Sequence, residues 1–221
     1  MFSKKYLQFF HFGGKIYDEV LILTITYELG NSLYINSTNR CSNDCEFCER
    51  NLRNNVNGVD NLWLEREPTV EEIMFDLGKR DLAKYDEVVF CGFGESMVRF
   101  EDIFEVAKRL KSVDSPPKIR INTNGQGNLI AKRDITPELA GKIDVVSISL
   151  NAKSADEYQK ICKSEFGAAA YDELLEFARL AKKYARVILT VVDCMGIADI
   201  NACREIAENL GVEFRVREFE S

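Results

Sequence analysis

The chain has 221 residues, 46% of them hydrophobic, which suffices for one sizeable core and one or two domains. Its net charge of −7 argues against a general nucleic-acid binder, which would carry a basic surplus, and both charge signs are mixed along the chain without a charged tail. Seven cysteines, odd in number and unevenly spaced, predict a reducing cytoplasmic setting rather than a disulfide scaffold, and no apolar run approaches the roughly 20 residues of a membrane helix.

In chain order, residues 1–24 fall outside any pattern and read as an N-terminal extension, loosely attached and unlike a secretory leader because Gln8 and His11 interrupt its apolar run. A core domain is predicted over 25–221. ILTITYEL (22–29) and SLYINS (32–37) flank Gly30-Asn31, a hairpin signal. A cysteine-rich loop follows, then a polar insertion. Thr69 with Glu72 forms a capping box for a helix to about Leu82. Strands and helices then alternate: strand 86–91, helix 101–111, strand 118–122, a short helix near Pro137, and strand 144–151. A helix capped by Ser154 and Glu157 comes next, then helix 171–185, strand 186–193, helix 199–211 and strand 213–219. Six strands separated by helices imply right-handed βαβ units and a parallel sheet.

The strands also predict how that sheet is used. Neighbouring residues of a strand face opposite sides. Ile119 and Ile121 alternate with Arg120 and Asn122. Val146, Ile148 and Leu150 alternate with Ser147, Ser149 and Asn151, and Phe214 and Val216 with Arg215 and Arg217. A sheet between two helix layers would be apolar on both faces. One polar face predicts instead an α/β fold of the open partial (β/α)6 barrel type, helices outside, preceded by the hairpin strand.

The chemistry-bearing segment is NRCSNDCEFCER, with Cys41, Cys45 and Cys48 in a C-x3-C-x2-C spacing. A structural zinc site needs four ligands and would have to recruit Cys91 or a carboxylate. A thioredoxin-like pair would use Cys45 and Cys48 and leave Cys41 without a purpose. A [4Fe–4S] cluster on three thiolates leaves one iron open for a ligand that comes and goes. Ser42, Asn43 and Asp44 are turn formers suited to wrapping such a group.

C-x3-C-x-Φ-C, with Phe47 before the last cysteine, resembles the signature of radical S-adenosylmethionine (SAM) enzymes. CGFGES (91–96) resembles that family's Gly-Gly-Glu motif, although Phe93 stands where the family often has Gly. INTNG (121–125) and VSISLNA (146–152) resemble its motifs after the third and fourth strands, with Asn151 in place of the more usual Asp. The resemblance implies a radical SAM barrel holding a [4Fe–4S] cluster on Cys41, Cys45 and Cys48. It also implies that Phe47, Gly94, Glu95, Ser96, Asn122, Asn124, Ser149 and Asn151 lie around SAM, Glu95 receiving its ammonium group. The implied reaction is reductive cleavage of SAM to a 5′-deoxyadenosyl radical that abstracts hydrogen from a substrate, the electron coming from a reductant such as flavodoxin or ferredoxin.

Over residues 25–221 the chain looks most like the TatD-linked radical SAM proteins, which implies a functional association with a TatD-type hydrolase. Its length is similar to that of 7-carboxy-7-deazaguanine synthases and of glycyl-radical activating enzymes. Alternatives are an activase or modifier of a protein partner, and a non-catalytic iron–sulfur protein for electron transfer or redox sensing. Arg120, Arg215 and Arg217, on the predicted lumen face, suit a small anionic substrate. They could instead pair with Glu95, Asp193 or Glu213 in a structural network, or face water if the last strand is a sheet edge. Cys91 and Cys194 end strands, and read as core thiols more readily than as pocket residues. Arg50 and Arg53, just past the cysteines, are expected to face a partner or solvent.

Overall fold

The computed structural model describes residues 23–52, 55–56 and 59–218. The N-terminal extension lies outside these residues except for its last two, and so does Arg53. β1 (Thr26–Leu29) and β2 (Ser32–Ile35) form the antiparallel hairpin that Gly30-Asn31 predicts, with Gly30 at φ 54°. After β2 the chain runs through the cysteine loop into a single helical turn, α1 (Glu49–Leu52). A two-residue ribbon follows, β3 (Asn55–Val56) with β4 (Val59–Asp60), within the polar insertion. α2 (Val70–Leu77) carries the full reciprocal capping box of Thr69 and Glu72. It stops at Gly78, five residues short of the predicted end, and Leu82 opens a separate 3₁₀ turn.

The alternation then proceeds through β5 (Glu87–Phe90), α3 (Phe100–Lys111), β6 (Ile119–Thr123), α4 (Gly127–Ala131) and β7 (Val145–Ser149). It continues with α5 (Ala155–Cys162), α6 (Ala169–Ala181), β8 (Arg186–Val192), α7 (Ile197–Leu210) and β9 (Glu213–Arg217). α4 is an addition to the predicted set, and the helix expected near Pro137 is a 3₁₀ turn, Thr136–Leu139. Ser154 caps α5 from its own side only: Glu157 is drawn to Lys153, 3.3 Å away. α6 begins two residues before the predicted start and ends four residues before the predicted end. Among the described residues no helix is long and apolar enough to cross a membrane.

The result is an α/β fold on a seven-stranded sheet in the order β1-β2-β5-β6-β7-β8-β9, parallel throughout except for the β1–β2 hairpin. Its two faces differ as the alternation predicts. Leu33, Ile35, Val88, Phe90, Ile119, Ile121, Val146, Ile148, Leu189 and Val191 are buried in the main core with Ile73, Ile103, Leu110, Leu174 and Phe177 of the helices. Burying a side chain of this size contributes about 1.5–3 kcal/mol, so this face dominates the stability. Register places Tyr34, Glu87, Arg120, Asn122, Ser147, Thr190, Arg215 and Arg217 on the other face. The parallel strands all end on the side where the cysteine loop lies, so the polar face and that loop form one mouth.

Candidate active site at the strand mouth

The cysteine loop is held by a buried polar network rather than by apolar packing. Ser42 and Asn43 are 4% and 5% exposed. The Ser42 hydroxyl donates to Gln126 Oε1 at 2.7 Å and accepts from Asn124 Nδ2 at 2.9 Å. Asn43 Nδ2 donates to the Tyr158 hydroxyl at 2.9 Å, and its Oδ1 accepts from Gln126 Nε2 at 2.9 Å. Ser164 adds a hydroxyl bond to Gln126 Oε1 at 3.0 Å. The backbone docks as well. Asp44 N–H and Glu46 N–H donate to the carbonyls of Cys162 and Ile161 at 3.0 Å each, satisfying carbonyls that the end of α5 leaves without helical partners. A fully paired network of this kind specifies one geometry, because each unmade bond would strand a buried polar group.

A second clamp comes from CGFGES. An added Cβ on Gly94 would lie 2.4 Å from the Thr38 carbonyl oxygen and 2.5 Å from that of Arg40, so only glycine lets this loop seat against the chain entering Cys41. Glu95 N–H donates to the Arg40 carbonyl at 2.8 Å. The Glu95 carboxylate, 4% exposed, accepts from Met97 N–H at 2.9 Å, the Thr123 hydroxyl at 2.7 Å and Asn124 N–H at 2.7 Å. Burial raises its pKa, and these three donors hold it back. The resemblance implies that Glu95 receives the SAM ammonium; its carboxylate also staples the Gly-Glu loop to the loop after β6 and keeps one of about four lone-pair sites open. Asn124 is likewise committed: its Oδ1 accepts from Gln126 N–H at 3.0 Å while its amide donates to Ser42.

The three thiols are free and half-buried. Cys41 Sγ accepts from the Asn43 N–H at 3.4 Å, and the Asn43 side chain and the Arg50 backbone act to lower the pKa of Cys45 and of Cys48 respectively. Arg50, expected at a partner or in solvent, instead braces the loop through Asn43 O at 3.1 Å and Asp44 at 3.3 Å, and its charge favours all three thiolates. Burial still pushes Cys41 up to about 12 and raises Cys48; Cys45 is raised by its hydrogen bond with Cys162 and then by burial. Metal-free, these groups are therefore thiols, and a metal must displace their protons. Among the described residues no three Cys, His, Asp or Glu side chains converge on a single-ion site. A four-iron cluster asks for something different, one thiolate on each of three irons, and separate sulfurs backed by N–H donors and one guanidinium fit that demand.

The other predicted residues divide. Phe47 packs against the main core and Ser96 is buried at the start of a 3₁₀ turn. Asn122 accepts from Arg120 Nη1 at 2.7 Å and acts against the rise that burial gives the Cys91 thiol pKa. Ser149 ends β7, half-buried. Asn151 sits at φ 56°, 4% exposed, and its Oδ1 is buried without a partner. Arg120 is spent: its Nε and Nη2 reach Glu87 Oε1 at 3.0 and 2.7 Å, an ion pair with a carboxylate outside the three expected candidates. Arg215 and Arg217 pair with no carboxylate among the described residues; Arg215 reaches only the Ser147 hydroxyl at 3.4 Å, and Arg217 Nε is buried without a partner. Burial, then Arg120 and Arg217, lower the Arg215 pKa. Cys91 lies on this face beside Asn122, and Cys194 is exposed; the fully buried core thiols are Cys162 and Cys203. A cleft at the opposite end of the sheet is lined by Lys111, Asp144, Lys182 and Arg186, and its charges pair within the chain, as in Lys111–Asp144 at 2.6 Å.

Comparison with known proteins agrees with this geometry. The chain matches the Radical SAM superfamily over residues 35–208 and belongs to it. That family uses a [4Fe–4S] cluster and SAM, and its members are generally enzymes. Among solved structures, TYW1 with a lysine–pyruvate adduct bound aligns at TM-score 0.61 and 14% identity, over 86% of this chain and 65% of that one. Streptococcus suis SuiB bound to precursor peptide SuiA aligns at TM-score 0.62 and 16% identity, over 86% and 39%. Native anSMEcpe with bound AdoMet aligns at TM-score 0.55 and 15% identity, over 85% and 51%. At such identities the likeness is one of fold, and the chain spans less than two thirds of each of these proteins. No curated protein matches it.

Proposed function

We propose that this protein is a radical SAM enzyme acting on a small anionic substrate in the cytoplasm, its core over residues 25–221 an open partial (β/α)6 barrel behind an extension of residues 1–24. The observation that carries the reading is the loop presenting Cys41, Cys45 and Cys48, backed by N–H donors and Arg50 and clamped by the Gly94–Glu95 turn. Curvature of the sheet is supported by Arg215 of β9 contacting Ser147 two strands away and influencing Arg120 on β6.

In this reading Cys41, Cys45 and Cys48 each hold one iron. When bound, the cluster supplies one electron to the SAM sulfonium, yielding methionine and a 5′-deoxyadenosyl radical. The chain's own residues bind and orient. Phe47 and the Gly94–Ser96 turn would help hold SAM beside the cysteine loop, and Asn122, Ser149 and Asn151 line the strand ends where SAM would lie, Asn151 Oδ1 being the buried acceptor still in want of a donor. Glu95 and Asn124 position that shell through the bonds already described. Arg215 and Arg217, which form no ion pair among the described residues, take the substrate anion, and Arg120 supports the site through Glu87. The motif set of residues 25–221 further supports membership of the TatD-linked group, and with it a functional association with a TatD-type hydrolase and a flavodoxin or ferredoxin as reductant. SuiB was solved with a precursor peptide, so a peptide remains the second substrate class to test.

The test is anaerobic reconstitution with iron and sulfide, reduction, addition of SAM alone, and detection of 5′-deoxyadenosine by mass spectrometry. The reading expects its formation with about four irons per chain. A loaded cluster that neither binds nor cleaves SAM overturns it in favour of electron transfer or sensing.

A further inference from the structure

We propose that the substrate is a planar aromatic acid, its ring lying on a wall built from Tyr34 and Trp63 and its acid group meeting Arg215 and Arg217. This deepens the reading above and rests on those two arginines taking the substrate anion. Tyr34 stands on the polar face of β2, and its direct partner on β1, Tyr27, stacks on it with ring centroids 5.1 Å apart. The Tyr27 hydroxyl donates to the Cys91 carbonyl at 3.1 Å, which ties the pair to the end of β5. Trp63 is backed in the same way. Its ring meets the buried Phe93 ring at 5.3 Å, and Phe93, Tyr27 and Leu62 form one apolar cluster against which Tyr34 packs. The backbone is pinned on either side of Trp63. Asn36 Nδ2 donates to the Leu62 carbonyl at 2.7 Å, and Asn39 holds both the carbonyl and the N–H of Leu64, at 2.7 and 3.1 Å. Leu62 and Leu64 are buried, yet Trp63, the only tryptophan of the chain, stays 38% exposed. A large ring held rigidly by its neighbours, with part of its face open, is a preformed stacking surface.

The aromatic wall and the arginines come together on one level of the sheet. Arg120 Nη2 lies 3.5 Å from the Tyr34 hydroxyl, and its Nη1 donates to Asn122 at 2.7 Å. Asn122 of β6 is the register partner of Ser147 on β7, whose hydroxyl is 3.4 Å from Arg215 Nη2. The Tyr34 hydroxyl therefore ends over β6 and the Arg215 guanidinium over β7, adjacent strands roughly 5 Å apart. A ring with an acid group attached to it spans that gap, whereas a purely aliphatic acid would leave the aromatic side unused. Arg120, between the two, does not compete for the acid, because Glu87 already holds it. An arginine fork takes a carboxylate through two parallel bonds, which also sets the direction in which the ring points. Each aromatic contact of this kind favours a flat ring by about two- to tenfold over its area alone.

The test is calorimetry on the reconstituted full chain with SAM present, using three probes: 2-naphthoate, its uncharged amide 2-naphthamide, and the saturated acid decalin-2-carboxylate. The wild-type chain should bind 2-naphthoate about tenfold or more tighter than either of the others. Trp63→Ala and Tyr34→Leu should each bring 2-naphthoate down toward the saturated acid while leaving the saturated acid unchanged, which also shows that the variant is folded. Trp63→Phe should recover most of the loss. Arg217→Gln should bring 2-naphthoate down toward the amide. Equal binding of 2-naphthoate and the saturated acid, or loss of both acids together in Trp63→Ala, overturns the proposal and leaves the anion reading standing. An amide that binds as tightly as 2-naphthoate, or no binding of either acid, overturns the anion reading and the proposal with it.

Discussion

The two sides of the strand mouth are built on opposite terms. On the cysteine side, Ser42, Asn43, Glu95, Asn124, Gln126 and Tyr158 are buried and mutually hydrogen-bonded. On the β9 side, Arg215 and Arg217 meet no carboxylate among the described residues, and Arg217 has a buried nitrogen without a partner. A group that stays in place is served by a frame whose bonds are already made. In the proposed reading, a ligand that arrives and leaves meets arginines without an ion-pair partner among the described residues, because a built-in counter-ion would compete with it. Arg120 shows the contrast within one strand face, since pairing with Glu87 removes it from the ligand-seeking set.

This contrast can be broken from its strong end. Replacing Cys41, Cys45 or Cys48 by Ala should reduce iron per chain to background and abolish 5′-deoxyadenosine, read by iron analysis and mass spectrometry. Gly94→Ala forces a methyl onto two backbone carbonyls and should cost about 3 kcal/mol in urea unfolding, with weaker iron loading because the displaced segment leads into Cys41. Glu95→Ala strands the Met97, Thr123 and Asn124 donors, each at about 1–3 kcal/mol before relaxation, and should lower the thermal midpoint by several degrees or more. On the β9 side Arg217→Gln should leave urea stability within about 0.5 kcal/mol and weaken substrate binding about tenfold or more, measured by calorimetry once a substrate is known. Equal stability losses for Glu95→Ala and Arg217→Gln would dissolve the distinction.

The smallest effect is at the surface. Arg66 holds the Glu72 carboxyl down to about 2 from an ordinary 4.5. Because the folded value lies below the unfolded one, the stabilisation is present above about pH 4.5 and is lost as pH falls toward 2. With the Glu72 side chain 36% exposed, solvent screening keeps it under about 1 kcal/mol. Arg66→Ala should thus differ from wild type slightly at neutral pH and not at pH 2, by urea titration at each pH.

Much of this architecture was legible in the sequence. Period-two alternation in KIRIN, VVSISLN and EFRVREF assigned the polar face, and Gly30-Asn31 located the hairpin turn, because both signals act between near neighbours. The three cysteines were legible by spacing alone. Gln126, Tyr158 and Ser164 were not, since they are isolated polar residues whose partners stand 84, 83 and 32 positions off in bonds such as Ser42–Gln126, Asn43–Gln126 and Gln126–Tyr158. A buried Gln in the turn after INTNG was the one available signal, and only tertiary contact gives it meaning. Glu87 as partner of Arg120 follows from strand register, which single-strand patterns do not contain. The early stop of α2 was readable at Gly78, a weak helix former that the apolar periodicity overshadowed.

The docking of the cysteine loop onto the end of α5 has one more consequence. The same two amides that fix Cys45 also close the last turn of that helix, so the terminus of α5 and the shape of the loop are thermodynamically linked. Ligand occupancy at the loop should be felt as protection of the backbone around residues 159–165, on a part of the chain well over a hundred positions from the cysteines. Amide exchange in that peptide would serve as a clock for cofactor loss, ticking before any unfolding of the sheet begins.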